Sequence, residues 1–449
     1  MPRENNKTYA GALVFLIAAS ILIHIAPFVL YEAHPLGYDT GFYRRYIVQQ
    51  PDLFLNASVP GLGADAFVPR VFLDILRLTH LPPDLLLYGA YIALFTTQAI
   101  ALFLLIKKRW GAKTALWAAL LLIVSPIQYT AYWFVLFKNA FALPLMLLAF
   151  FALEKGSRWA ILLGVLLAFS HHTTSIIFLA AILIYAVLRR ERRRLALLTA
   201  AVAIPAFLYL HYPAIPDYVN APVAVFVQWK EYLLLSLPLF ILASFGIKDA
   251  VRNASRSTVA AFFIVSAAFP LLGLPFYQRI FIFTDIALII PAAVGLVKIA
   301  EALKSRDRSP IKIAAALIAI LSLAWFAANT ESRIYHLRPL VSTKEIEELK
   351  YMASNIPADN AILTSTPLAP WVHGWTRVRV IAPGLLGDTH SAQEWISFTH
   401  GPAGAKIDFL KNFPRPLYIF LGPRENEEFL SDIKNCVDQK SDYLFRYTC

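Results

Sequence analysis

The chain has 449 residues, 58% apolar and only 16% charged, with a mean hydropathy of +0.58. A soluble globular protein of this composition could not keep its surface wet, so the class is a polytopic α-helical membrane protein. The formal net charge of +12 is spread over short loops between apolar runs instead of forming one patch. That distribution orients membrane helices and argues against a nucleic-acid partner.

In chain order, the first apolar run covers 11–31 and follows Arg3 and Lys7, so it is expected to pass from inside to outside. It is too long for a signal-peptide core and lacks a small-residue cleavage site, and it reads as an uncleaved anchor. The outer loop that follows, 32–84, is far longer than the others. It opens with His34-Pro35-Leu36-Gly37-Tyr38-Asp39-Thr40, which places a carboxylate within a few residues of the lipid boundary. An Asp there could equally cap a helix. Further along, 65–80 reads as a helix with Pro69 near its first turn and Arg70, Asp74 and Arg77 on one face. Such a helix suits the membrane interface, packing against the C-terminal region being the alternative.

Basic clusters at Lys107-Lys108-Arg109, Lys155 with Arg158, Arg189 to Arg194, Lys248 to Arg256 and Lys304 to Lys312 are assigned to the inside. Spans are then expected at 85–106, 113–129 and 131–153, the last two forming a hairpin that turns near Tyr129 to Trp133. The stretch 159–188 would be about 45 Å long as one helix, too long for a single crossing. A break at Ser170-His171-His172-Thr173-Thr174 gives two short segments meeting at the outer face. Later spans fall at 195–211, 231–247, 257–275, 280–302 and 311–328, about eleven in all.

Odd parity puts residues 330–449 outside. Apolar content drops there, a helix is expected over 345–354, and strands over 361–365, 378–382, 416–421 and 443–447. The expected organisation is a transmembrane domain, 1–329, carrying the outer loop 32–84, followed by a small C-terminal extracytoplasmic α/β domain, 330–449. The only two cysteines, Cys436 and Cys449, lie in that last domain, where a disulfide between them is permitted. Low cysteine content and a compact outer domain point to a prokaryotic cell membrane.

Ionisable groups in or beside spans are costly and ask for a reason. Lys138 interrupts an apolar run, His171 and His172 sit at the proposed break, Arg279 opens a span, and Asp285 lies further in. The topology rests only on the basic loops, yet it places Lys138, the histidine pair and Arg279 near the outer face with Asp39. One acid and several cations at one depth is what an anionic, lipid-linked substrate would need, since its phosphate must be neutralised. The structural alternatives are snorkelling of Lys138 and Arg279, helix capping by the histidines, and an Arg279–Asp285 pair, although six residues is poor helical spacing for contact. A zinc site through the adjacent histidines alone is disfavoured by their spacing.

At Gly37-Tyr38-Asp39-Thr40-Gly41-Phe42-Tyr43 the chain resembles the GT-C superfamily of membrane glycosyltransferases. That group includes protein O-mannosyltransferases, the aminoarabinose transferase acting on lipid A and oligosaccharyltransferase catalytic subunits. The resemblance extends over nearly the whole architecture: an acid in a long first outer loop, interface helices, many spans and an outer C-terminal domain. It implies that Asp39 is catalytic. Phe137-Lys138-Asn139 and His171-His172-Thr173-Thr174 are similar to segments of prokaryotic members. The Trp-Trp-Asp signature of oligosaccharyltransferases is absent, the nearest string being Trp371-Val372-His373-Gly374-Trp375, so transfer of a whole glycan to Asn is disfavoured. The adjacent Asp-Glu pair of protein O-mannosyltransferases is absent too, which leaves protein, lipid and glycan acceptors open.

The expected activity is inverting transfer of one sugar from a polyprenyl-phosphate donor, with Asp39 as general base. Arg279, then Lys138, would neutralise the leaving phosphate, with His171 or His172 as helpers. Tyr38, His34 and Tyr43 are the candidate substrate contacts. A single Asp with histidines and substrate phosphate could hold a divalent cation, but the ligand count is too low to assign one. The rival reading is a non-enzymatic translocator of lipid-linked sugar or polysaccharide, which predicts paired repeats and polar residues through the full bilayer depth.

Overall fold

The structure, a computed structural model, describes residues 6–31, 36–49, 67–134, 136–212, 227–274, 277–304, 309–385, 389–423 and 427–449. In chain order the first helices are α1 (Asn6–Leu30), α2 (Thr40–Gln49), α3 (Phe67–Arg77), α4 (Pro83–Ile123), α5 (Pro126–Trp133) and α6 (Phe137–Lys155). There follow α7 (Trp159–Ala168), α8 (His172–Leu188), α9 (Arg193–His211), α10 (Trp229–Ala254), α11 (Thr258–Leu271), α12 (Tyr277–Leu303) and α13 (Pro310–His336). Beyond them lie α14 (Thr343–Asn355), α15 (Ala369–Trp375), α16 (Ala392–His400) and α17 (Ala403–Lys411). The strands are β1 (Ala361–Thr364), β2 (Arg379–Ile381), β3 (Leu417–Phe420), β4 (Val437–Gln439) and β5 (Leu444–Tyr447). Two compact units result. One comprises Met1–Leu30, Asp65–Pro69 and Gly89–Arg338, the other Tyr31–Ala64, Arg70–Tyr88 and Pro339–Cys449.

The first unit is helical. Among the described residues, seven helices are long and apolar enough to cross a bilayer, and α7, α8 and α11 are shorter apolar helices beside them. The chain is an integral membrane protein. α4 contains the expected spans 85–106 and most of 113–129 in one helix, broken at Gly111, whose φ of 83° interrupts the helical conformation. The hairpin expected near Tyr129 to Trp133 turns through the short helix α5, which Ser125 caps by accepting from the Gln128 amide. The break predicted at 170–174 lies between α7 and α8, where His171 takes the N-cap position.

α10 and α12 pack closely because Gly246 and Gly295 face each other's helix. A Cβ at Gly246 would lie 2.1 Å from the Pro291 carbonyl oxygen, and one at Gly295 would lie 2.1 Å from that of Leu242. Small residues permit this approach in a membrane, where apolar burial alone gives helices no reason to associate. At one end of the unit, Glu154 is 5% exposed and accepts from Arg109 at 3.1 Å, Arg189 at 3.0 Å and the Thr258 amide at 2.7 Å. One carboxylate therefore joins α4 just before its Gly111 break, and the ends of α6 and α8, to the start of α11.

The second unit is built on a five-stranded sheet in the order β2-β1-β3-β5-β4. β1 is parallel to β2 and β3, while β5 is antiparallel to β3 and β4. Alternation along the strands sends Leu363, Leu417 and Ile419 to one face, with Phe398 of α16 and Leu410 of α17. Ile362 and Phe420 go to the other, with Leu349 of α14 and Trp371 of α15. Both faces are covered, as parallel strands require. Ser342 and Glu345 form a reciprocal capping box that starts α14. Cys436 and Cys449 form a disulfide.

Candidate functional site

In the first unit, the cationic residues singled out from sequence come together. Lys138 stands in the first turn of α6, His171 and His172 at the start of α8, and Arg279 in the first turn of α12. His172, Lys138, Arg279 and His211 are all close enough to His171 to act on it electrostatically. The His171 and His172 rings are 4.7 Å apart, and the His172 ring lies 6.0 Å from that of His211. Five basic groups from four helices thus share one end of the unit. Lys138 and Glu154 sit sixteen residues apart on α6, or about 24 Å at 1.5 Å per residue, so this cluster lies at the opposite end from the Glu154 clamp.

The histidines also do the structural work that sequence left as the alternative. His171 Nδ1 accepts from the Thr174 amide at 3.3 Å and lies 2.9 Å from its hydroxyl. Accepting at Nδ1 leaves the ring proton on Nε2, so His171 caps α8 and presents Nε2–H as a donor. His211, which the sequence analysis did not single out, donates to the Ala168 carbonyl at 2.9 Å. Asp285 does not join this cluster by the pairing considered above. It is fully buried, accepting from the Ser125 hydroxyl at 2.8 Å and the Gln128 amide at 3.0 Å, and Gln98 in turn donates to Gln128 at 3.1 Å.

In the second unit, Asp39 occupies the position before α2. Its carbonyl accepts from the amides of Phe42 at 3.0 Å and Tyr43 at 3.3 Å, so Asp39 opens the helix through its backbone. Its side chain is half-buried. Tyr38 donates to the Thr366 carbonyl at 2.6 Å. Burial, reinforced by the neighbouring Asp39 charge, pushes the Tyr38 hydroxyl above its ordinary range, so it stays protonated and keeps that bond. Tyr43 is fully buried. His34 lies outside the described residues.

What fixes the Asp39 segment is the packing of α2 on α15. Gly41 lets its backbone meet Pro370 and Trp371, and Gly374 meets Gly41 in return. Arg44 donates to the Gly374 carbonyl at 2.8 Å, lies over the Trp375 ring at 4.2 Å and pairs with Asp84 at 3.0 Å. Arg45 bonds the His373 ring. Burial, together with the Arg45 charge, lowers His373 to about 3, so the ring is neutral and accepts. Tyr46 donates to Asp74 at 2.9 Å, which ties α2 to α3. The tryptophan-bounded segment 371–375 thus braces the Asp39 helix, with Trp371 itself in the core. Among the described residues no group of three or more His, Cys, Asp and Glu is placed to hold a metal ion.

No protein-family model matches the chain, and no curated protein matches it in sequence. Solved structures do match. The archaeal oligosaccharyltransferase AglB from Archaeoglobus fulgidus, in complex with an inhibitory peptide and a dolichol-phosphate, superposes with a TM-score of 0.65 at 13% identity, over 92% of this chain and 69% of that one. ArnT from Cupriavidus metallidurans, bound to undecaprenyl phosphate, gives 0.59 at 13% identity over 97% and 98%. The arabinofuranosyltransferase AftD from Mycobacteria gives 0.57 at 14% identity over 91% and 35%. These neighbours are GT-C glycosyltransferases. At such identities the likeness establishes a shared fold, and it covers nearly all of this chain.

Proposed function

We propose that this chain is a membrane glycosyltransferase that moves one sugar from a polyprenyl-phosphate donor to a hydroxyl acceptor, inverting the anomeric centre. The observation that carries the reading is the gathering of Lys138, His171, His172 and Arg279, from three separate helices, at one end of the helical unit. A donor phosphate needs such a set. Arg279 offers forked hydrogen bonds, Lys138 a point charge, and His171 an Nε2–H donor. The fold likeness supports the same reading, because AglB and ArnT were solved with dolichol-phosphate and undecaprenyl phosphate.

The reaction runs as one displacement. The acceptor oxygen attacks the anomeric carbon as its proton passes to the Asp39 carboxylate. The bond from that carbon to the phosphate oxygen breaks, and polyprenyl phosphate leaves with the electron pair. A phosphate leaving group needs no acid, only charge stabilisation, which the cations provide as charge develops. The absence of an acid beside Trp371 and Trp375 favours a single sugar over a whole glycan. The sidedness proposed is the extracytoplasmic face of a prokaryotic cell membrane, opposite the basic loops.

The test is incubation of the purified protein with a radiolabelled polyprenyl-phosphate sugar and hydroxyl acceptors in detergent. A transferase gives labelled acceptor, whereas a translocator gives none. Arg279→Gln is expected to raise the KM for donor about tenfold or more while product still forms, since a charge-assisted hydrogen bond contributes roughly 1.5–3 kcal/mol. An unchanged KM and rate would remove Arg279 from the phosphate.

A further inference from the structure

A second ligand feature lies at the far end of the helical unit. A cavity of about 270 Å³ opens among α4, α8, α10, α11 and α12, lined by Trp110, Val251, Ala254, Ser255, Ile264 and Pro291 among others. Its wall is otherwise aliphatic and aromatic. Val251 is 56% exposed and Ile264 47%, so the cavity opens sideways through apolar residues that a bilayer would cover. Two details set it apart from a packing defect. The Trp110 indole Nε1 is buried with no hydrogen-bond partner among the described residues, a donor left wanting an acceptor. Two exposed cations adjoin lining residues along the chain: Arg252 follows Val251 and Arg256 follows Ser255. The Arg252 side chain is 77% exposed and reaches Asp249 only at 4.0 Å.

We infer that this cavity binds one anionic phospholipid, with an acyl or isoprenoid chain inside and the phosphate between Arg252 and Arg256. An ester or ether oxygen of the lipid backbone accepts from Trp110 Nε1–H. Basic pockets between membrane helices on the cytoplasmic side take anionic headgroups in this way. Charge complementarity commits the occupant: both guanidiniums are exposed and Arg252 meets Asp249 only at 4.0 Å, so an anionic headgroup gains charge-assisted partners that an uncharged lipid, a detergent chain or an apolar protein helix would not. The site is separate from the donor site proposed above. Trp110 adjoins Arg109, which bonds Glu154, so the cavity is at the end of α6 opposite Lys138.

The experiment uses the full chain, delipidated in detergent and offered phosphatidylglycerol or phosphatidylcholine of identical chains, with binding read by native mass spectrometry. One phosphatidylglycerol is expected to be retained in preference. Arg252→Gln with Arg256→Gln should weaken it about thirty-fold, at roughly a fivefold step per cation near the surface. Val251→Trp should fill the mouth and abolish retention of both lipids. Trp110→Phe should weaken retention several-fold while keeping the bulk. All four positions can be checked for folding by melting temperature without lipid. Equal retention of the two lipids would overturn the headgroup assignment. Unchanged retention in Val251→Trp would overturn the location. A dimer mass lost in that variant would assign the cavity to a second copy and refute the lipid.

Discussion

Gly41→Ala is the sharpest probe of how the Asp39 segment is held. A Cβ at position 41 would lie 1.9 Å from the Pro370 carbonyl oxygen, 2.3 Å from its carbon and 2.8 Å from the Trp371 nitrogen. All three are backbone atoms and cannot rotate aside. Restoring ordinary contact requires α2 and α15 to separate by about 1.5 Å. Gly374 offers no relief, because a Cβ there would meet the Gly41 carbonyl oxygen at 2.6 Å. Overpacking of this kind costs roughly 1–3 kcal/mol. Separation also strains the Arg44 bond to the Gly374 carbonyl and the Arg45 bond to His373. Asp39 lies two residues before Gly41, and a misplacement of about 1 Å in a catalytic group can cost roughly 10²-fold in rate. The assay pairs initial transfer rate with thermal unfolding, and Gly404→Ala, whose Cβ meets nothing within 4 Å, is the control. If Gly41→Ala matches the control in both rate and melting temperature, the bracing argument is wrong.

Other predictions follow from single sites. Glu154→Ala strands Arg109 and Arg189 and uncaps Thr258, and it should lower stability by about 3 kcal/mol in detergent unfolding. A loss under about 1 kcal/mol would show the clamp to be incidental. His373 gives a pH dependence. Burial and the Arg45 charge hold it at about 3 in the folded protein against an ordinary 6.5. The unfolded chain therefore takes up a proton that the folded one refuses. Stability contributed by His373 is full above about pH 6.5 and is lost as pH falls toward 3, at up to about 1.4 kcal/mol per pH unit. His373→Gln should flatten melting temperature between pH 7 and 5, and parallel curves for variant and parent would contradict the assignment.

The helical membrane class was legible because apolar runs of bilayer length leave few alternatives. The break at His171 was legible from length and charge parity together, neither of which needs tertiary contacts. Lys138, His171 and Arg279 could be brought to one depth for the same reason. Their proximity to His211 could not, since a histidine ending α9 carries no local signal of what it faces. Glu154 was equally hidden: next to Lys155 it reads as a solvated loop residue, and only contacts with Arg109 and Thr258 reveal it. Asp285 misled in the other direction, because its hydroxyl and amide partners lie about 160 residues away, on and just before α5. The grouping of the Asp39 segment with residues 339–449 rests on glycines 41 and 374, a close approach that no periodicity announces. β4 escaped because Val437-Asp438-Gln439 is short and polar.

The central claim is that the Asp39 carboxylate receives the acceptor proton, and Asp39→Asn tests it most directly. Asparagine caps a helix as well as aspartate does, and the bonds that start α2 come from the residue 39 carbonyl, so the fold is kept. Measured by single-turnover transfer from a saturating polyprenyl-phosphate sugar, the variant should be slowed about 10²–10⁴-fold, with donor affinity and melting temperature unchanged. Transfer at the parent rate would mean that another group, or none, takes that proton.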